Sequence, residues 1–176
     1  DGILLATGAG PAVPPIPGLE TYYWTEFLHD NQLPEEKKVV IIGGGLIGME
    51  LASKLVDRNN EVIIVEMLPQ VANGMEMIEK AMTMKKLSAH SVTIYTNFKV
   101  NRVDGRRIEI VGQETQEIDE VDHIVVAAGM KSRTELKERL HENVDGKIPI
   151  QLIGDAREVG KAQTAIFDAY TAALEI

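Results

Sequence analysis

Apolar positions fall into two patterns along the chain. Short unbroken runs occur at 3–6, 39–42, 62–65 and 124–128, each closed by glycine or polar residues. Such runs suit strands buried on both faces of a parallel sheet. Helical spacing appears between them. Leu46, Ile47, Met49, Leu51, Ala52, Leu55 and Val56 predict a helix over 46–58, ended by Asn59-Asn60. Met75, Ile78, Met82 and Leu87 predict a second over 75–89, with the methionines as core fillers. A strand at 92–95 would join the sheet. Segments 98–103, 106–111 and 115–118, with turns at Asp104-Gly105 and near Gly112, suit an antiparallel meander. A polar helix over 134–141, a strand over 150–153 and a helix over 161–175 complete the pattern. The last helix would present Ala162, Ala165, Ile166, Ala169, Ala172 and Ile176 on one face. Residues 9–18 are proline-rich and read as an extended connector. Residues 21–31, with Tyr22, Tyr23, Trp24, Phe27 and Leu28, suggest a short helix or turn whose aromatic face packs on a neighbouring domain.

The strand at 38–43 runs into Gly43-Gly44-Gly45-Leu46-Ile47-Gly48. Gly43, Gly45 and Gly48 fit G-x-G-x-x-G between a strand and a helix. The first glycine turns the chain, the second lets a pyrophosphate reach the backbone, and the third lets helix and strand pack closely. The free N–H groups of the helix start, at Leu46 and Ile47, suit phosphate oxygens. Glu66 closes the next strand, about 20 residues on, where the fingerprint expects an acid for ribose hydroxyls. A carboxylate there repels a 2′-phosphate, and Met67-Leu68-Pro69-Gln70 supply no arginine to attract one. The reading is therefore NAD(H) rather than NADP(H). The plainer alternative for Glu66 is a solvated strand end. A P-loop is excluded, because no Lys-Ser or Lys-Thr follows Gly48. The fold class is α/β: a Rossmann-like NAD-binding domain, with parallel sheet and antiparallel meander, flanked by partial segments of another domain.

Composition narrows the function. The chain has 176 residues and a net charge of −9, which argues against nucleic acid and an anionic membrane surface. With no cysteine, it carries no disulfide, thiolate metal site or redox dithiol. No apolar run reaches membrane-spanning length and no signal peptide is visible, so a cytoplasmic protein is expected. His29, His90, His123 and His141 lack metal-ligand spacing, and Asp119, Glu120 and Asp122 read as a solvated acidic turn. No acid–base pair stands out. The chain opens at Asp1 directly in an apolar strand, which reads as a fragment without its N-terminal portion.

The opening strand and the strand at 123–129 echo one another, ending in Ala6-Thr7-Gly8 and Ala127-Ala128-Gly129. With Pro14-Pro15-Ile16-Pro17-Gly18, the glycine fingerprint and Ile153-Gly154-Asp155 before an alanine-rich helix, they resemble the two-dinucleotide-domain flavoproteins, a family that includes the pyridine nucleotide–disulfide reductases. Within it the chain looks most like the C-terminal region of the 2-enoate reductase, 2,4-dienoyl-CoA reductase and trimethylamine dehydrogenase group, on Gly154-Asp155-Ala156-Arg157-Glu158-Val159-Gly160-Lys161 and Phe167-Asp168-Ala169-Tyr170. The resemblance implies that Gly43, Gly44, Gly45, Leu46, Ile47, Gly48, Glu66 and Gly129 bind NAD, and that Glu50 sits near the nicotinamide. An equal alternative for Glu50 is an acid in the first helical turn, favoured by the dipole. It implies that Thr7, Gly8, Gly154 and Asp155 belong to an FAD site, Asp155 accepting from flavin-chain hydroxyls; the alternative for Asp155 is a turn or cap residue.

On this reading, 37–129 is the NAD-binding domain, 1–20 and 130–176 are parts of an FAD-binding domain, and 21–36 connects them. The expected activity is electron input: NADH reduces FAD, and the electrons go on to an activated C=C such as a 2-enoate. An N-terminal flavin domain with FMN and an iron–sulfur cluster would be the partner. Alternatives are a relative of NADH oxidases, disulfide reductases or ferredoxin reductases, or a non-catalytic NAD-binding sensor. The fragment itself would be inactive, and the apolar surface of its first strand and last helix would favour self-association.

Overall fold

The computed structural model describes residues 2–19, 22–23, 33–143 and 148–175. Two units are present, 13–129 and the combination of 1–12 with 130–176.

The larger unit is built on a parallel sheet of β3 (Tyr22–Tyr23), β4 (Lys38–Ile42), β5 (Glu61–Glu66), β6 (Thr93–Thr96) and β10 (His123–Val126), in the order β3-β10-β4-β5-β6. Alternate residues of the apolar runs point to opposite faces. Val39, Ile41, Val62, Ile64 and Val125 enter one core; Val40, Ile42, Ile63, Val65 and Val126 enter the other. The first core is covered by α1 (Leu46–Val56), through Met49, Ala52, Leu55 and Val56, and by α2 (Met77–Ala89). The second is covered by an antiparallel sheet of β7 (Lys99–Asp104), β8 (Arg107–Val111) and β9 (Thr115–Ile118), through Val100, Val103, Ile108, Ile110 and Ile118. Both sheet faces are therefore closed, which is why the strands read as unbroken apolar runs.

The connector 13–19 packs with this unit. Ile16 and Leu19 lie against the second core, and Val103 N–H donates to Pro17 O at 2.9 Å. Gly18 has φ +78°, and a Cβ there would lie 2.0 Å from Val103 O. Asn60 is buried at the end of α1. Its amide donates to Pro34 O (2.7 Å) and Leu55 O (2.8 Å), and its carbonyl accepts from Lys37 N–H (3.0 Å).

The second unit pairs β1 (Ile3–Leu5) in parallel with β12 (Ile150–Leu152), and β2 (Ala9–Pro11) antiparallel with β11 (Met130–Ser132). It also holds α3 (Glu135–Asn143), a 3-10 turn at Gly154–Ala156 and α4 (Ala162–Glu175).

Several expectations are corrected. Ile78 and Met82 are not core: they are 77% and 69% exposed, while Leu87 is buried and Met75 and Met84 pack against the core. In α4 the buried residues are Asp168 and Ala172, and Ile166 is exposed. Tyr22–Tyr23 form a strand beside β10 rather than a helix or turn; Trp24, Phe27, Leu28 and His29 lie outside the described residues, as does Ile176. Residues 9–11 are a paired strand, not a plain connector.

Candidate functional site

The glycine turn begins where β4 leaves the sheet. Gly43 N–H still donates to Val65 O at 2.9 Å, and Ala127 N–H donates to Ile42 O at 2.8 Å. Gly43 then takes φ +108°, and a Cβ there would lie 2.4 Å from Ala127 O. Only glycine fits both demands. A Cβ on Gly48 would lie 2.0 Å from Gly43 O, so the third glycine is what lets α1 close on the turn. At Gly45 the same test finds no atom within 4 Å, leaving the backbone open to a ligand. The three glycines thus serve different purposes, those the fingerprint requires.

Gly44 belongs to the opposite side. A Cβ there would meet Val71 Cγ1 at 2.6 Å and Glu66 Cβ at 3.3 Å. Its N–H donates to Glu66 Oε2 at 2.6 Å, and its carbonyl accepts from Ala72 N–H at 2.7 Å. Glu66 Oε1 accepts from Leu68 N–H at 2.8 Å. Glu66 is therefore not a solvated strand end: it is buried, and each oxygen already holds one backbone N–H. A carboxylate oxygen has a further lone pair, so ribose hydroxyls could be accepted without releasing the turn. Ala72 has φ +59°, held by this bond to Gly44. No signal in the sequence announces the contribution of Val71 and Ala72, because it depends on how the loop after β5 folds back.

Helix geometry leaves the first N–H groups of α1, including those of Leu46 and Ile47, without intrahelical acceptors. No acid lies in its first turn, so nothing there neutralises the positive end of the dipole. Glu50 is exposed and is the fifth helical residue, which corrects the first-turn alternative. Gly129, with φ +102° and no atom within 4 Å of a Cβ, follows the Ala127-Ala128 segment that abuts Gly43. These features fit the phosphates and ribose of a dinucleotide.

In the other unit, Thr7-Gly8 and Gly154-Asp155 follow the C-terminal ends of the adjacent parallel strands β1 and β12. The Thr7 hydroxyl donates to Arg133 O at 2.8 Å, and Arg133 N–H donates to Gly8 O at 3.0 Å. Gly8 has φ +70° and open space beside it, which fits close approach of a ligand such as the flavin chain. Asp155 Oδ1 accepts from Gly160 N–H at 3.1 Å, so the turn-capping alternative is present in the structure. Asp168 holds this turn from α4: its Oδ2 accepts from Gly154 N–H at 2.7 Å, and its Oδ1 pairs with Arg157. An acid on an otherwise alanine-rich helix was the available signal for Asp168. No group of residues that could hold a metal occurs among those described, and no helix among them is long and apolar enough to cross a membrane.

A family model described as pyridine nucleotide-disulphide oxidoreductase matches residues 1–155. The chain belongs to this family. This is a family of oxidoreductases, and membership implies NAD(H) and FAD as its cofactors. An NADH oxidase of Thermoanaerobacter brockii is 33% identical over the whole chain, which spans 28% of that relative. A cinnamate reductase of Clostridium sporogenes is 29% identical, again over the whole chain and 26% of the relative. A 2-naphthoyl-CoA reductase, solved with 2-naphthoyl-CoA, superposes with a TM-score of 0.78 at 25% identity, over all of this chain and 27% of that one. The chain thus spans between a quarter and a third of each of these relatives.

Proposed function

We propose that this chain is the NADH-binding, electron-input region of an FAD-dependent oxidoreductase that reduces an activated C=C, such as that of a 2-enoate. The observation that carries the reading is the Gly43–Gly48 turn, open at Gly45 and held by Glu66 at Gly44. When bound, NADH supplies a hydride that FAD accepts. The chain's own residues bind and orient. The N–H groups at the start of α1, from Leu46 to Gly48, receive the pyrophosphate. The Glu66 carboxylate accepts ribose hydroxyls and repels a 2′-phosphate. Gly129 leaves room at the end of β10, and Glu50 lies toward the nicotinamide. Thr7, Gly8, Gly154 and Asp155 belong to the FAD site, Asp155 accepting from a hydroxyl of the flavin chain. Residues 37–129 form the NAD-binding domain, and 130–176 with the first residues of the chain contribute to the FAD-binding one. No side chain here is assigned a proton-transfer role, in keeping with a region that supplies binding and orientation to the cofactors' chemistry.

The names of the cinnamate reductase and 2-naphthoyl-CoA reductase relatives support reduction of a conjugated acid or thioester. The NADH oxidase relative favours a second reading, in which the electrons pass to oxygen. Calorimetric titration with NADH and NADPH tests the binding reading: NADH should bind and NADPH should bind at least about tenfold more weakly, from the charge on Glu66. Equal binding of both would overturn it. NADH consumption by the flavin-loaded enzyme, with and without a 2-enoate under anaerobic conditions, separates the two acceptors.

A further inference from the structure

Helix α2 turns Met84 and Leu87 to the core but leaves a second set of apolar side chains facing outward. Met77, Ile78 and Met82 are 83%, 77% and 69% exposed, whereas Leu87 alone is buried. Ile78 and Met82 line a shallow surface groove together with Ser53 of α1, Glu76, Glu79 and Lys86. The exposed seam follows heptad spacing: Ile78, Met82, Lys85 and Ala89, with Glu79 and Lys86 at equivalent flanking positions one heptad apart. Glu79 lies toward the N-terminal end of the helix and Lys85 and Lys86 toward its C-terminal end, while Lys80 is turned aside to donate to Val71 O at 3.0 Å. A second copy packed antiparallel about a two-fold axis near Met82 would set Glu79 of each chain against Lys86 of the other. Lys86 already touches Asp57 Oδ2 at 2.7 Å, and an ammonium has donors for both acids.

We propose that the α2 face is a self-association surface, joined to a second copy of this chain as an antiparallel helix pair with Met82 at its centre and reciprocal Glu79–Lys86 contacts at its edges. The charge pattern selects the occupant: it complements itself under two-fold rotation, as an isologous interface requires. Helix α4 also exposes Ile166, Phe167, Tyr170 and Leu174, but its charges are the buried Asp168 and the terminal Glu175, so nothing there selects a partner. One helix pair falls short of the ~800 Å² per partner of a standard interface. The dimer is therefore weak and concentration-dependent. This inference is independent of the nucleotide reading.

Sedimentation velocity over a concentration series tests it, with thermal denaturation confirming that each variant is folded. The wild-type chain should pass from monomer to dimer as concentration rises. Met82→Glu, at an exposed position, should weaken association by at least about thirtyfold, as expected for a central contact. Glu79→Lys and Lys86→Glu should each weaken it by about tenfold by setting like charges together. The double variant Glu79→Lys/Lys86→Glu restores opposite charges and should return to within about threefold of wild type. A chain that stays monomeric overturns the proposal. So does association unaffected by Met82→Glu, or a double variant no better than the single ones.

Discussion

Glu66 Oε2 accepts the Gly44 N–H at 2.6 Å, so the side chain proposed to read a ribose also holds the glycine turn closed. Its other oxygen holds Leu68 N–H at 2.8 Å. Glu66→Ala would leave the buried Gly44 amide and the half-buried Leu68 amide without acceptors, at about 1–3 kcal/mol for a buried unsatisfied group. The expected loss is about 2–3 kcal/mol in urea denaturation, together with loss of NADH binding. Glu66→Gln keeps one carbonyl oxygen but turns an NH2 toward the other amide, so it should fall between the two while narrowing the preference for NADH over NADPH. A Glu66→Ala chain as stable as wild type would show that the carboxylate does not support the turn.

The glycines should separate folding from binding. A Cβ on Gly48 would lie 2.0 Å from the Gly43 carbonyl oxygen, a backbone atom with no room to yield. Gly48→Ala is therefore expected to cost at least about 3 kcal/mol or to prevent folding. Gly45, at φ −74° and ψ −166°, has a conformation open to alanine and no neighbour within 4 Å of a Cβ. Gly45→Ala should leave the unfolding free energy within about 0.5 kcal/mol of wild type. The same change should weaken NADH at least about tenfold, because the methyl occupies the pyrophosphate's approach. Undiminished NADH binding by Gly45→Ala would place the phosphates elsewhere.

The β4–α1–β5 unit was legible because local rules define it: an apolar run, a turn only glycine can make, and helical spacing ended by Asn59-Asn60. Asn59 takes φ +56°, a left-handed conformation asparagine tolerates. The register of α2 was not legible. Met75, Met84 and Leu87 lie on one face and Met77, Ile78 and Met82 on another, and periodicity alone cannot say which meets the sheet. The pairing of Ala9–Pro11 with Met130–Ser132 joins segments more than a hundred residues apart in sequence, with no local signature at either. The buried polar residues were hidden for a related reason. Asn60 and Asp168 owe their burial to backbone groups that only the folded chain brings to them.

Asp168 supports the Gly154-Asp155 turn from inside. It is 6% exposed, accepts Gly154 N–H at 2.7 Å and pairs with Arg157. Gly154 itself sits at φ +57°, with Ala165 Cβ 3.2 Å from where its own Cβ would be. Asp168→Ala would leave the Gly154 amide without its acceptor and Arg157 without its partner, and should cost about 2–4 kcal/mol. Asp168→Asn keeps an acceptor of nearly the same shape and should cost less. Hydrogen exchange at Gly154 should quicken in the order wild type, Asn, Ala. Equal protection in all three would mean that α4 does not hold the turn.

Asp122 gives the acid-side prediction. Its Oδ2 accepts Lys38 N–H at 3.0 Å where β4 begins, and Arg106 lies 2.7 Å from Oδ1. The Lys38 N–H, chiefly, and the Arg106 charge hold its pKa below the ordinary 3.8, against the opposing effect of desolvation. A carboxyl depressed on folding contributes stability that is full above its unfolded pKa and fades as pH falls through its folded one. The denaturation midpoint of Asp122→Asn should therefore lie below that of wild type at pH 7. The gap should begin to shrink as pH drops through the ordinary value of 3.8, and should level off once the folded carboxyl is protonated. Charge drives this change, so other acidic groups common to both chains cancel in the comparison. A gap as wide at pH 2 as at pH 7 would show that the ionised carboxylate adds nothing beyond the neutral amide at this position.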